Sequence, residues 1–407
     1  MTRDMAQYVL EEVVTSQQKK EFIDLPKKLY KGNRYWVCPL DGDIEARFDP
    51  AKNELFVGGE AIRWIVRDAA TGKVVGRIGA WYNKEQAALE EQPTGGCGFF
   101  EAINDQDVAN MLFDASRDWL KSKGMEAMDG PVNFGDRDQW WGLLVDGYEL
   151  QPLYANPYNP PYYKELFENY GFQNYFNQYS YYRTIATGGF NPSVYERVKR
   201  LNETPGYSFQ HISKKNMVQV ADDFRRIYNK AWARHSGVKP IDREHAMKLM
   251  NSMKPIIDEK LIYFARFNDE PIGFFIMVPD INRVIGRFMG KMNLINKLRL
   301  VWLLRQRKAD RIFAMIFAVD PDFHGKGIEA GIMHCFEETL LKEELPYKTL
   351  ELAWVGDFNP VMMRMVESYV CASRHKVHVT YRYLFDREKE FKRCPRISVK
   401  RNTAVTN

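Results

Sequence analysis

The chain has 407 residues, 45% of them hydrophobic and 27% charged, with no low-complexity tract; this is too long for one hydrophobic core and excludes a disordered or fibrous protein. A formal charge of +5 and a pI near 8.7 fall short of the clustered excess of a dedicated nucleic-acid binder. Five scattered cysteines (Cys38, Cys97, Cys335, Cys371, Cys394) without a C-x-x-C pair imply reduced thiols, no disulfide framework and no zinc site. The opening MTRDMAQYVLEEVV carries acids inside its apolar stretch, and no apolar run approaches the roughly 20 residues of a membrane span. The expectation is a cytoplasmic protein that, at most, lies on the inner face of the membrane without crossing it.

In chain order, Ala61 to Asn83 reads as a β-hairpin turning at Thr71-Gly72, and CGFFEAI as a third strand. A helix follows with Asn104 or Asp105 as N-cap, Val108, Met111, Leu112 and Leu120 on one face and Gly124 as its stop; AMDGPVNFG is the next strand. Tyrosines crowd the segment from Tyr148 to Tyr182, whereas all seven histidines lie beyond residue 210. Residues 186–205, with Gly-Gly and Pro-Gly signals around one short helical pattern, read as a linker.

The second half repeats the order: strand YSFQHIS, two helices, a hairpin turning at Asn268-Asp269, strand RIFAMIFAVDP, a helix, strand TLELAWVGD, helix PVMMRMVESYV and last strand KVHVTYRYLF. The expected fold is α/β (α+β), a duplicated mixed sheet flanked by helices. Its expected divisions are 1–185, a linker at 186–205, a second domain at 206–386 and a basic tail at 387–407.

Between strand and helix of the second half lies VDPDFHGKGIEA. A P-loop needs G-x-x-x-x-G-K-[ST], and neither the second glycine nor the hydroxyl is supplied. The dinucleotide pattern G-x-G-x-x-G/A fits Gly325, Gly327 and Ala330, but Asp320 to Phe323 intervene between strand and helix. A plain glycine-rich helix start is the bland alternative.

Closest is the acyl-CoA loop of the GNAT acyltransferases, which VDPDFHGKGI resembles with Val319, Pro321, Phe323, Gly325, Lys326, Gly327 and Ile328 in register. Backbone amides at a helix N-terminus suit a pyrophosphate, and glycines let phosphate oxygens approach. The resemblance implies acyl-CoA (acetyl-CoA or long-chain acyl-CoA) held by Phe317, Val319, His324, Gly325, Lys326, Gly327 and Ile328, with Asn359 reaching the pantetheine arm. It also implies a backbone amide near the end of Phe313–Val319 for the thioester oxygen. Three residues depart from the motif. His324 replaces Arg or Gln, Glu329 replaces Gly or Ala, and Val366 replaces the tyrosine that protonates the leaving thiolate in many members; Tyr369 lies further along the helix.

Over nearly the whole chain, stretches such as GFFEAINDQDVANMLFDASRDWLKSKGMEAMDGPVNFGDRDQWWGLLVDGY, NPPYYKELFENYGF and VPDIN resemble the double-GNAT group of bacterial ceramide synthase-like proteins. The first half has no G-x-G loop, so it looks like a GNAT domain without a CoA site. The implied function is N-acylation of a sphingoid-type amine by acyl-CoA. Two competitors stand beside it: acetylation of a soluble small-molecule or peptide amine, and a non-catalytic binding module with a degenerate CoA site.

The insertion Gly286 to Arg311 carries Leu294, Ile295, Leu298, Val301 and Trp302 at helical spacing, and eight cations (Arg287, Lys291, Lys297, Arg299, Arg305, Arg307, Lys308, Arg311) against Asp310. Two readings stand: a helix lying in a membrane interface, or one packed on its own domain. The tail REKEFKRCPRISVKRNTAVTN reads either as a solvated terminus or as further attraction to anionic headgroups.

Attack on a thioester needs a neutral amine; one of pKa about 9 is only about 1% neutral at pH 7, a deficit of roughly 2.7 kcal/mol. Glu351 and Asp357 are the candidate bases, with Asp357 alternatively capping the following helix. His211, His235, His245, His334, His375 and His378 show no spacing that specifies a metal site, and none is expected. The tyrosine-rich segment is expected to pack between the domains or line a substrate groove, and GPVNFGDRDQWW offers Asn133, Asp136, Arg137 and Trp140 nearby.

Overall fold

The computed structural model describes residues 7–185, 189–232 and 240–397. The first half contains strands β1 (Tyr8–Glu12), β2 (Gly59–Asp68), β3 (Val74–Asn83), β4 (Thr94–Ala102), β5 (Ala127–Gly130), β6 (Leu143–Asp146) and β7 (Gln173–Thr184). Its helices are α1 (Ser16–Leu29), α2 (Asp41–Arg47), α3 (Lys84–Ala87), α4 (Gln106–Ser122) and α5 (Tyr163–Tyr170). The second half contains β8 (Tyr207–His211), β9 (Ile262–Phe267), β10 (Glu270–Pro279), β11 (Arg311–Val319), β12 (Thr349–Gly356) and β13 (Ser373–Leu384). Its helices are α6 (Pro192–Asn202), α7 (Met217–Trp232), α8 (Arg243–Met253), α9 (Asn282–Ile285), α10 (Leu294–Arg305), α11 (Ile328–Lys342) and α12 (Pro360–Arg364).

One sheet runs through the molecule in the order β1-β2-β3-β4-β5-β13-β7-β12-β11-β10-β9-β8, with β6 also on β13. Each half therefore gives its last strand to the other. Strand β7 pairs with β12 from Thr184↔Thr349 to Gln178↔Gly356, and β13 pairs with β5 from Tyr381↔Gly130 to Leu384↔Ala127. The two exchanged strands pair with each other from Tyr182↔Ser373 to Gln173↔Arg382. Exchange covers the edges that β5 and β12 would otherwise expose, and unpaired edges invite aggregation. Only the last part of the tyrosine-rich segment enters the interface, as strand β7, where Tyr181 and Phe176 are buried and buried Thr380 donates to Gln178 at 3.0 Å; Tyr162, Tyr163 and Tyr170 pack in the core of the first half.

Helices cover both faces. In the first half α4 presses Val108, Leu112 and Leu120 onto β2–β4, while Phe113 stacks on Phe100 and meets Phe167 of α5. In the second half α7 and α8 bury Phe224, Ile227 and Met250 against Phe264 and Phe274, and α11 buries Ile328, Ile332 and Phe336 on the other face. The segment expected as a linker holds α6, whose Val194 and Val198 pack on Ala330 of α11. The tail folds back as far as it is described, with Cys394 N bonded to Tyr175 O at 3.0 Å and Ile397 N to Phe358 O at 2.8 Å; residues 398–407 lie outside the described residues.

At the seam sits a buried ionic cluster. Arg311 donates to Asp280 (2.6 Å), Glu351 (3.1 Å) and the carbonyls of Gln151 (3.1 Å) and Pro152 (2.8 Å), and Lys376 pairs with Glu351. Arg311, counted with the surface cations of the insertion by sequence, turns inward here and is 4% exposed.

A chain ending at Ala372 lacks β13 and is expected to lose the near-UV circular dichroism of both halves. Retention of a native near-UV spectrum and cooperative unfolding by that truncation would show that the exchange is dispensable.

Candidate functional site

The loop between β11 and α11 is held by its own side chains. Asp320 is buried, accepts from Asp322 N at 3.1 Å and pairs with Lys230 at 2.7 Å. The Phe323 ring lies 5.6 Å from Phe267, with the Lys326 ammonium 4.6 Å over its own face. His324 directs Nε2 to Val319 O at 3.1 Å, which requires the Nε2–H tautomer. The histidine therefore braces the loop against the strand through Nε2.

Gly325 (φ +77°) and Gly327 (φ +88°) both adopt the left-handed conformation that side chains disfavour. Gly327 starts α11 with no side-chain cap. Among the described residues the amides of Gly325, Gly327, Ile328 and Glu329 have no protein acceptor, whereas Lys326 N reaches Phe323 O and Ala330 N reaches Gly327 O. Four unpaired donors at the positive end of a 15-residue helix form a cradle for an anion. The Ile328 side chain is buried in the core, so this residue presents only its amide.

Glu329 points away from the cradle to pair with Arg197 of α6 at 2.8 Å, and Arg197 also donates to Tyr369 Oη at 2.8 Å. Its aliphatic stem lies 3.3 Å from where a Cβ on Gly327 would stand. The acid that departs from the loop motif is thus neutralised by a helix that was expected to be linker. Sequence gave no spacing that linked Arg197 to the loop.

Beside the cradle the sheet opens. Parallel β11 and β12 pair only from Arg311↔Thr349 to Ala314↔Leu352, although both strands continue. Met315 is bulged out of the β10 ladder at that point, and β12 is irregular between Leu352 and Val355 against β7. Bulges of this kind aim backbone groups out of the ladder beside sites. Phe317, on the splayed part of β11, packs edge-on to Phe275 at 5.7 Å. Asn359 caps α12 through Oδ1 to Met362 N at 3.2 Å, leaving Nδ2 without a partner among the described residues. The helix continues as a π turn, Met365–Tyr369, in which Val366 is buried and Tyr369 part-exposed.

The matching place in the first half is closed. Asp105 caps α4, accepting from Asp107 N at 2.9 Å and Val108 N at 3.4 Å, so a carboxylate already occupies the helix end. Strands β4 and β5 also begin to separate after Gly96↔Asp129, but Val132 N returns to Cys97 O at 2.9 Å and bridges the gap.

Glu351, expected as a base, is 0% exposed and gripped by Lys376 and Arg311. Burial pushes its carboxyl up, but the two cations outweigh it and hold it below the usual range. A carboxylate so held is structural and cannot reach an amine. Asp357 lies at the end of β12, accepting from Asn177 Nδ2 at 3.0 Å and Arg393 at 2.7 Å; the helix cap is Asn359.

Sequence reasoning passed over Asp138. Its loop, 133–142, is tied by Asn133 Nδ2 to Asp136 O at 2.8 Å and is docked on β12 by Trp354 Nε1 donating to Arg137 O at 2.9 Å. Trp354 belongs to the irregular stretch of β12 at the opening. Asp138 is exposed on this loop; partial desolvation first and Asp136 second push its carboxyl up to about 6. Both acids also raise Tyr228 on α7, after burial. Among the described residues no group of three His, Cys, Asp or Glu side chains could hold a metal; His235 lies outside them.

No family model matches the chain. It is 26% identical over 378 residues to a bacterial ceramide synthase from Caulobacter vibrioides, covering 91% of this chain and 95% of the relative. Similarity to the protein YghO of Escherichia coli is 23% over 355 residues, covering 86% and 88%. Among solved structures, a tandem GNAT protein from the clavulanic acid biosynthesis pathway superposes with a TM-score of 0.50 at 10% identity, covering 93% of this chain and 98% of that one. The glucosamine N-acetyltransferase region of a fungal multi-domain β-N-acetylglucosaminidase gives 0.53 at 11%, covering 93% of this chain and 38% of the fungal one.

Glu351→Gln is expected to lower stability at neutral pH by about 3–5 kcal/mol, because Lys376 and Arg311 are left buried without their partner. With the native carboxyl held low, that contribution is complete above the unfolded value of about 4.3 and is lost as pH falls below it. Urea unfolding of both proteins across that range checks the convergence.

Proposed function

We propose that this tandem-GNAT acyltransferase, similar along nearly all its length to a bacterial ceramide synthase, moves a fatty acyl group from acyl-CoA to a sphingoid-type amine. The products are the amide and free CoA. The observation that carries the reading is the asymmetry of the two halves: the amides before α11 are open, whereas those before α4 are filled by Asp105. A pyrophosphate needs the former and is excluded by the latter.

In this reading the cradle of Gly325 to Glu329 holds the pyrophosphate, and the opening between β11 and β12 takes the pantetheine arm, within reach of Asn359 Nδ2. The bulge at Met315 offers its amide to the thioester oxygen as charge gathers there, a contribution of a few kcal/mol in acyl transfer. Asp138, rather than Glu351, takes the proton of the attacking amine, its raised pKa suiting a base near neutrality. Asp357, tied to Arg393, orders the end of β12. Arg197 donates to the Tyr369 oxygen, which leaves the phenol proton free for the departing thiolate in place of the missing tyrosine at Val366.

A long-chain amine stays in the membrane, since each buried methylene holds it by about 0.8 kcal/mol. The proposed site of action is therefore the cytoplasmic membrane surface. Among the described residues no helix is long and apolar enough to cross a membrane.

Calorimetric titration with palmitoyl-CoA and acetyl-CoA tests the donor. Binding of the long-chain thioester, with CoA released on adding a sphingoid base, is expected; turnover of acetyl-CoA with a soluble amine alone would favour the small-molecule competitor. Gly327→Ala is expected to weaken acyl-CoA binding about tenfold, because a side chain at positive φ costs about 1–2 kcal/mol. Asp138→Asn is expected to lower kcat by about 100-fold or more and to remove the rise in rate through about pH 6. Asp357→Asn should retain that rise, and its loss there instead would move the base to Asp357.

A further inference from the structure

Helix α10 belongs to neither the sheet nor the site, and both of its long faces are apolar. The inward face packs Leu300, Leu303 and Leu304 onto Val37, Leu40, Ile285 and Phe288. The outward face bears Leu294, Ile295, Leu298 and Trp302, which are 73%, 74%, 65% and 57% exposed. At about 100° per residue these four fall within an arc of roughly 100°. Sequence posed membrane helix and domain-packed helix as alternatives; the fold packs one face of α10 on its own domain and leaves the opposite apolar face exposed.

The charges around this face decide its occupant. Arg287, Lys291, Lys297, Arg299, Arg305, Arg307 and Lys308 are exposed, and none is in an ion pair among the described residues. The nearby acid Asp310 pairs with Arg283 at 3.3 Å. By helical position Lys297 and Arg299 flank the apolar stripe on its two sides, and Arg305 closes its C-terminal end. A second copy of the chain would bring these cations against their own kind. A nucleic acid would leave the aliphatic stripe against phosphate. An anionic bilayer matches both features, because a stripe of Leu, Ile and Trp enters the acyl boundary while flanking cations meet headgroups.

We infer that α10 is a membrane-docking helix that lies in the plane of an anionic lipid surface, with Leu294, Ile295, Leu298 and Trp302 inserted and Lys297, Arg299 and Arg305 on headgroups. At 12 residues it is too short to span. Its position also suits delivery: β11 starts close behind α10 and runs about 30 Å, at roughly 3.3 Å per residue, to the anion cradle. The opening between β11 and β12 narrows toward Ala314, on the α10 side. An acyl-CoA seated there would carry its nucleotide away from the bilayer and its acyl end toward it. The sense of this docking rests on the lipid-amine reading, but its test does not.

The full-length protein is sedimented with vesicles of phosphatidylcholine alone or of equal parts phosphatidylcholine and phosphatidylglycerol, at low and high salt, without substrate. Binding to the anionic vesicles that weakens with salt is expected. Leu298→Glu with Trp302→Glu should reduce it at any salt. Lys297→Glu with Arg299→Glu and Arg305→Glu should reduce it by about a hundredfold or more at low salt, at about fivefold per cation lost. All five positions are exposed, so unchanged circular dichroism and acyl-CoA affinity confirm the fold. Absence of wild-type binding, or equal binding by both variants, overturns the proposal, as does a change from dimer to monomer in the Glu variants without a change in vesicle binding. Vesicle binding by a protein that binds no acyl-CoA would sink the acyl-transfer reading and leave the docking intact.

Discussion

Arg311, Asp280, Glu351 and Lys376 join the start of β11, the end of β10, β12 and the start of β13 in one buried cluster, with the carbonyls of Gln151 and Pro152 closing it from the first half. Buried charges of this kind add little net stability over apolar packing, but each is costly to leave alone. The cluster therefore acts as a register pin. It fixes β11 and β12 side by side at one end, so that they can part after Ala314 and Leu352 without sliding. The opening, the bulge at Met315 and the aim of the loop all inherit their positions from it.

The halves divide the labour unequally. The second keeps the glycines, the uncapped helix and the splayed strands. In the first, the same architecture has been put to support: Asp105 fills the helix end, Val132 bridges the strands, and the loop carrying Asp138 reaches across to Trp354. Arg197 shows how an odd residue is absorbed. Glu329 would repel a phosphate if it stood free, and the guanidinium at 2.8 Å turns it into part of a clasp between α6 and α11.

Local chemistry was legible in the sequence; long-range partnership was not. The loop, its two glycines and Asn359 follow from short motifs, and the insertion's stripe follows from helical spacing. Sequence could not say which of eight cations turns inward, because Arg311 differs from its neighbours only in what the fold places opposite it. It made Glu351 a base for the same reason, since a carboxylate on a strand looks alike whether it faces a cleft or two buried cations. The exchanged strands escaped notice because β7 alternates tyrosine with Asn, Gln and Ser instead of aliphatic residues, and its partners lie far along the chain. Asp138 sits in a loop whose position depends on one tryptophan from the other half.

The strand exchange also sets an order of events during synthesis. When the ribosome has made Thr184, the first half holds every element of its own except the strand that covers β5, and β7 has no neighbour from its own half to lie against. Ser373 to Leu384 is made after every other strand of the sheet. At roughly 5–20 residues per second the wait lasts tens of seconds. A nascent chain of this kind cannot finish one unit before starting the next, so it must carry an open strand edge through most of its translation. Holding factors at the ribosome would act on that edge, and a truncated messenger would release a product with no way to close it.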